Sequence, residues 1–245
     1  MMPNMNINII ITMAGLGSRF RNIGVNINKQ DIVANGRTLL EWSLLSLEDF
    51  YQESFIFIAH KDRIDRHLFE DICLRLGIYR KQLVILDRMT DGQATTALAA
   101  EPYLDPLCPI MIFNIDTYLE KGSIGKRDIL PSYAGFIPLF SANDSRFSYA
   151  SVEGNRIVCI REKVCISPYA TAGLYYFRSF RLFQDAYRKT YEKTSTNEKY
   201  IAPLYQCLID RGERVGYSFV NPPPHILGTP EELKAFCEHF CEDNS

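Results

Sequence analysis

The sequence predicts an α/β domain whose mixed, mainly parallel sheet is flanked by helices. Two observations carry this: short apolar runs alternate with amphipathic helical stretches, and small or polar residues with chemical potential follow directly where those runs end. Strands separated by helices pair in parallel, and a parallel sheet binds its ligand beyond the carboxyl ends of its strands. At 245 residues the chain is long enough to bury a substantial core, and one domain over 1–245 is expected.

The first strand is Ile9-Ile10-Ile11, β-branched and apolar. It runs into Thr12-Met13-Ala14-Gly15-Leu16-Gly17-Ser18-Arg19-Phe20, and residues 21–29 are then polar and aperiodic. Asp31-Ile32-Val33-Ala34, followed by Asn35-Gly36 and Arg37-Thr38-Leu39, reads as a short strand and a two-residue turn. Thr38 is an N-cap with Glu41 as its capping-box partner, opening a helix through Leu47. Phe55 to Ala59 is a second buried strand, Asp62 to Leu76 an amphipathic helix closed by Gly77, and Leu83 to Leu86 a third strand. Asp91-Gly92-Gln93 turns into a helix reaching Leu98, and Ile110 to Phe113 is a strand leaving through Asn114-Ile115-Asp116. Gly135 to Phe140 is apolar again, and residues 149–160 form a hairpin about Gly154-Asn155 with Glu162-Lys163 after it. Ala170-Thr171-Ala172-Gly173 leads into a Leu174 to Phe177 strand. Helices are expected over Phe180 to Tyr191 and Tyr200 to Arg211, and a strand over Val215 to Val220 that Pro222-Pro223-Pro224 stops. A last helix begins at Thr229-Pro230-Glu231-Glu232, with threonine capping and proline at its first position.

Composition narrows the classes. The chain is 47% hydrophobic and 23% charged, and no apolar run reaches the ~20 residues of a membrane span. The N-terminal apolar run lacks a basic leader and continues into the glycine loop, so a cytoplasmic protein without a membrane role is expected. A net charge of −2 argues against an extended nucleic-acid surface. Seven cysteines without a C-x-x-C pair read as free thiols. Cys237 and Cys241 bracket His239, but on a helix that histidine points away from the pair, which argues against a zinc site.

The stretch after the first strand carries the chemistry. Glycine lets a chain turn sharply and bring amide N–H groups to phosphate oxygens, and Arg19 adds a fixed charge with a planar donor fork. The spacing fits neither GxxxxGK[ST] nor GxGxxG, since Phe20 stands where the latter needs its third small residue. An ordinary strand-to-helix turn is the plain alternative. Asp116, at a strand end, is placed either to hold Mg²⁺ against a phosphate or to cap a turn.

Ala14-Gly15-Leu16-Gly17-Ser18-Arg19-Phe20 resembles the [AG]-G-x-G-[ST]-R-[FL] signature of the sugar-1-phosphate nucleotidyltransferases, and the resemblance extends along the chain. Lys29, Gly92-Gln93, Asn114-Ile115-Asp116, Glu162-Lys163, residues 170–177 and Gly228-Thr229-Pro230-Glu231-Glu232-Leu233 follow in the family's order. The resemblance implies a Rossmann-like, GT-A-like fold, with residues 1–120 as nucleotide half and 121–245 as acceptor half. It implies transfer of a nucleoside monophosphate from a pyrimidine triphosphate, CTP ahead of UTP or dTTP, to a phosphorylated acceptor such as a sugar 1-phosphate, in building capsule or surface polysaccharide.

By the same resemblance, the backbone of Ala14, Gly15, Leu16 and Gly17 contacts base and phosphates, Ser18 belongs to the nucleotide site, and Arg19 meets the β- and γ-phosphates and Lys29 the α-phosphate. Gly92, Gln93 and Asn114 bind the nucleotide, and Asp116 holds Mg²⁺. Lys163 binds the acceptor phosphate, while Glu162 and Gly173 border the acceptor pocket. Read from residue type alone, Lys29 and Lys163 are equally surface lysines, and Gln93 a first-turn helix residue. Tyr169, Tyr175 and Asn197 are unranked acceptor candidates, and a homo-oligomer is compatible with the chain.

Two departures stand out. Asn28 precedes Lys29 where relatives carry proline, and Ile226 stands where relatives often carry a second metal-binding aspartate. The second departure keeps open a silent nucleotide-binding or regulatory module. A glycosyltransferase using a finished nucleotide sugar is the other alternative; Arg19 and Lys29 suit a triphosphate better, and no D-x-D is present.

Overall fold

The computed structural model describes residues 6–192, 196 and 198–242. Asn197 and the side chains of His239 and Cys241 lie outside them, so those expectations have no structural counterpart. The strands are β1 (Asn8–Thr12), β2 (Val33–Ala34), β3 (Arg37–Thr38), β4 (Ser54–His60), β5 (Lys81–Leu86), β6 (Ile110–Asn114) and β7 (Thr117–Tyr118). They continue as β8 (Gly135–Ser141), β9 (Ser148–Glu153), β10 (Arg156–Glu162), β11 (Tyr169–Thr171), β12 (Leu174–Phe177), β13 (Val215–Phe219) and β14 (His225–Ile226). The helices are α1 (Ser18–Arg21), α2 (Leu39–Leu45), α3 (Arg66–Leu76), α4 (Gln93–Leu98), α5 (Phe180–Tyr191), α6 (Ala202–Asp210) and α7 (Pro230–Glu242).

The central sheet is mixed, with strand order β10-β9-β11-β8-β12-β6-β1-β4-β5 and β13 paired to β8. Parallel pairing runs through β5, β4, β1 and β6, and β13 lies parallel to β8. From β12 through β10 the path is antiparallel. The chain leaves β1 towards β4 and β5, then returns to place β6 on the other side of β1, and this reversal opens a crevice at the carboxyl ends of β1 and β6.

Continuous apolar runs follow from burial on both faces. Ile9, Ile11, Phe55 and Phe57 pack against Leu40 and Leu44 of α2 and Phe69 and Ile72 of α3. Ile10, Ile56 and Ile112 face the other way, onto Ala94 and Ala97 of α4, Phe183 of α5 and Leu208 of α6. A third cluster, Phe20, Ile32, Trp42, Leu227 and Phe236, fastens the polar stretch after the glycine loop to α2 and α7. The six described cysteines are free, and burial pushes the Cys73 thiol up to about 12.

Several boundaries differ from expectation. The helix expected from Asp62 starts at Arg66, because the Asp65 carboxylate accepts from the His67 and Leu68 amides and fixes the N-terminus there. The helix expected through Leu47 ends at Leu45, and the one expected from Tyr200 begins at Ala202 with Pro203 in its first turn. Thr38 caps α2 as expected, but Glu41 turns to Arg37 and Arg75 instead of completing the box. Thr229 accepts from the Glu232 amide, as its sequence position anticipates.

Candidate active site

The crevice holds a cleft of about 670 Å³, lined by the glycine loop, the Gly92 turn, the ends of β6 and β12, and parts of the second half. Ala14 to Arg19 line one wall, with Gly15, Leu16, Ser18 and Arg19 exposed. Gly17 adopts φ 61°, and a Cβ there would lie 3.2 Å from Lys29 Cβ, so glycine both permits the turn and lets Lys29 approach. Arg63 donates from Nη1 to the carbonyls of Gly15 and Leu16, at 3.3 and 2.8 Å. Those bonds engage two of the loop's carbonyls.

The Gly92 turn is held from behind. Lys199 N–H donates to the Asp91 carbonyl at 2.7 Å and Ala94 N–H to the Lys199 carbonyl at 3.0 Å. Gly92 has φ 144°, and a Cβ would meet Lys199 backbone N and O at 2.4 Å. Lys199 Nζ pairs with the Asp91 carboxylate at 2.7 Å, holding that carboxyl below the usual range. Gln93 donates from Nε2 to Thr12 Oγ1 at 3.1 Å, which fixes its amide beside the end of β1.

At the end of β6, Asp116 Oδ2 pairs with Lys29 Nζ at 2.5 Å. Asn114 Oδ1 is buried and without a partner among the described residues. Gly173, at φ 77°, passes so close to Asn114 that a Cβ would lie 2.6 Å from its Nδ2. A Cβ on Gly228 would lie 3.3 Å from Asp116 Oδ2, 3.4 Å from Glu232 Oε2 and 3.6 Å from Arg19 Nη1, so these charged groups surround one point.

The second half of the chain contributes Arg146, Ser148, Glu162, Thr171, Glu198 and Tyr200 to the lining. Glu162 Oε2 accepts from Ser148 Oγ, and burial raises the Glu162 carboxyl above its ordinary value despite that bond. Thr171 and Tyr175 hydroxyls meet at 3.0 Å.

Of the residues to which the resemblance gives a role, all but Lys163 line this cleft. Lys163 has φ 55°, and its Nζ sits 4.3 Å from the Tyr200 ring centre and donates to that residue's hydroxyl. Tyr175 lines the cleft, whereas Tyr169 packs on Phe219. Ile226 also lines it; neighbouring His225 turns to Glu120 at 3.3 Å. Nothing in the sequence points to Arg63, Arg146 or Glu198 as site residues, and Tyr200 and Glu232 stand out only as helix-start residues. Arg146 follows Asp144 at short range, but nothing local in the sequence separates it from a surface arginine.

No protein-family model and no curated protein matches the sequence. Solved structures do match. The nucleoside-diphosphate-sugar pyrophosphorylase of Vibrio cholerae RC9 superposes with a TM-score of 0.85 at 28% identity, over 94% of this chain and 99% of that one. The inositol-1-phosphate CTP transferase of T. maritima gives 0.79 at 18% identity over 98% and 96%. A UTP-bound UGPase of Acinetobacter baumannii gives 0.74 at 15% identity over 96% and 93%. The last two bear on the fold alone. The fold is thus shared with nucleotide-sugar pyrophosphorylases and a CTP transferase, and the likeness at 28% identity is to one of those pyrophosphorylases.

Proposed function

We propose that this protein is a Mg²⁺-dependent nucleotidyltransferase, moving a nucleoside monophosphate from a pyrimidine triphosphate to a phosphorylated acceptor such as a sugar 1-phosphate. CTP is placed first, with UTP and dTTP behind it, and the product serves capsule or surface polysaccharide assembly. The observation carrying the reading is the convergence of the glycine loop, Arg19, Lys29 and Asp116 on one cleft at the crevice beside β1.

In this reading, residues 1–120 hold the nucleotide. The amides of residues 14–18 and the Arg19 guanidinium bind phosphates, and Lys29 meets the α-phosphate. Gln93, whose amide offers both a donor and an acceptor, reads the base edge beside Gly92. The acceptor's phosphate oxygen attacks the α-phosphorus in line; a new P–O bond forms, the bond to the β-phosphate breaks, and pyrophosphate leaves. The acceptor brings an ionised nucleophile, so no general base is required, and the residues act by positioning and by charge. Glu162 and Gly173 border the acceptor, held in residues 121–245. Its phosphate needs a cation, and Lys163, which the resemblance offers, is turned to Tyr200.

The residues fit Mg²⁺. Asp116 supplies a carboxylate, and the unpartnered Asn114 Oδ1 a second oxygen close by in sequence, while Mg²⁺ takes one or two carboxylates together with phosphates and water. Among the described residues no cluster of three His, Cys, Asp or Glu side chains holds a metal by itself. The ion would therefore arrive with the triphosphate and neutralise its charge. The Lys29–Asp116 pair, together with Ile226, favours one second reading, a silent nucleotide-binding module.

The test is pyrophosphate release with Mg²⁺, offering CTP, UTP, dTTP, ATP and GTP singly against sugar 1-phosphates and small phosphorylated metabolites. Release that requires one pyrimidine triphosphate and one acceptor supports transfer. Tight nucleotide binding with silence across the panel supports the silent module.

A further inference from the structure

Attack by a phosphate oxygen on a triphosphate brings two anions together, and the acceptor side of the cleft must offer a cation for that approach to be favourable. Among the described residues lining the cleft the cationic side chains are Arg19, Lys29 and Arg146. The first two come from the N-terminal loop and its flank, and Lys29 is already paired with Asp116. Arg146 comes from the second half of the chain, on the segment between β8 and β9, with Phe147 and Ser148 beside it in the cleft lining.

The guanidinium is built in. Its Nε donates to Asp144 Oδ2 at 2.8 Å, Nη2 lies 2.7 Å from the same oxygen, and Nη1 lies 2.8 Å from Glu232 Oε1. Glu232 Oε2 accepts the Gly228 N–H at 3.0 Å, and Gly228 is the point around which Asp116 and Arg19 also gather. Arg146 thus stands at the seam between the expected triphosphate site and the acceptor wall. A guanidinium carries five N–H donors, and the carboxylate contacts leave donors on Nη1 and Nη2. The side chain remains 47% exposed, open to a ligand.

We infer that Arg146, held in place by Asp144 and Glu232, binds the acceptor's phosphate group in place of Lys163. The inference rests on the nucleotidyl-transfer reading and deepens it. Lys163 serves instead to hold Tyr200 against the wall of the cleft.

The experiment uses the full chain with Mg²⁺ and the α,β-methylene analogues of CTP and UTP. Nucleotide affinity is measured by calorimetry. Binding of inorganic phosphate and of glucose 1-phosphate to the nucleotide complex is then followed by ³¹P NMR titration. Arg146→Met is expected to weaken binding of the phosphate probes by about tenfold or more, and Arg146→Lys, which keeps the charge, by no more than about threefold. Nucleotide affinity is expected to stay within about twofold in both variants, which also reports that they fold. Unchanged phosphate binding in Arg146→Met overturns the inference, as does a parallel loss of nucleotide affinity, the mark of a purely structural clamp. Failure of the wild-type nucleotide complex to bind either probe also overturns it. Failure of the wild-type protein to bind either nucleotide analogue overturns the transfer reading itself, and this inference with it.

Discussion

The two walls of the cleft are made by different means. The wall assigned to the nucleotide is built from short contiguous segments, two of them turning on glycine: a glycine loop at the end of β1, a glycine turn before α4 and an N-x-D exit from β6. The wall assigned to the acceptor is side chains, with Arg146, Ser148, Glu162, Thr171 and Tyr200 spread over several elements of the antiparallel half. A site that works through amides constrains φ and excludes Cβ atoms, so it must be written in glycine. A side-chain wall needs only that each residue arrive at the right place, and many sequences can achieve that.

Substitution at the carboxylate proposed to hold Mg²⁺ separates the two walls most sharply. Asp116→Ala is expected to lower the rate of pyrophosphate release by about 10³-fold, the several kcal/mol of charge neutralisation that a bound ion supplies. Glu162→Gln, on the acceptor wall, should cost about tenfold, chiefly in the acceptor's KM.

The glycines give the next effect, read in denaturant unfolding. Gly92→Ala should destabilise by about 2–3 kcal/mol, because its Cβ meets the Lys199 backbone at 2.4 Å and its φ is 144°. Gly15→Ala, with nothing within 4 Å of its Cβ, should stay within about 0.5 kcal/mol. Equal costs would mean that the Gly92 turn is not held by residue 199.

Support of the loop from behind is a smaller matter. Arg63→Ala should raise the nucleotide KM about fivefold with kcat little changed, the net worth of about one hydrogen bond to the loop carbonyls.

The smallest effect is in the pH dependence of stability. Burial raises the Glu162 carboxyl, so the folded state binds its proton more tightly than the unfolded state. Its contribution is full below its ordinary value of 4.5 and is lost as pH climbs through the raised value. Asp91 runs the other way: its bonds to Lys199 and Thr95 lower it, so its contribution is present above 3.8 and lost as pH falls through the lowered value. Glu162→Gln should therefore flatten the decline of melting temperature above pH 4.5 and leave the acid limb unchanged.

The same contrast explains what the sequence disclosed. Strand–helix alternation marked β1, β4, β5 and β6, and glycine, proline and threonine marked the turns and caps, since each answers to a local physical demand. Asp65 capping α3 was missed because Asp62 stands at the start of the same amphipathic pattern. Arg63 looked like a helix residue, yet it lies in a short 3₁₀ turn and reaches the glycine loop across the sheet's end. Arg146 and Tyr200 meet the cleft only through tertiary placement. Lys163 matched a motif, but Tyr200 supplies a hydroxyl and a ring face that hold its ammonium aside.

The central claim, that the first half of the chain is built for a triphosphate, is tested most directly by calorimetry of CTP and UTP against CMP and UMP, with Mg²⁺, in the wild-type protein and in Arg19→Ala. The account expects the triphosphate to bind more tightly than its monophosphate by about 30-fold or more, and Arg19→Ala to remove most of that advantage while sparing the monophosphate. Equal binding of tri- and monophosphate, or an advantage indifferent to Arg19, would contradict it.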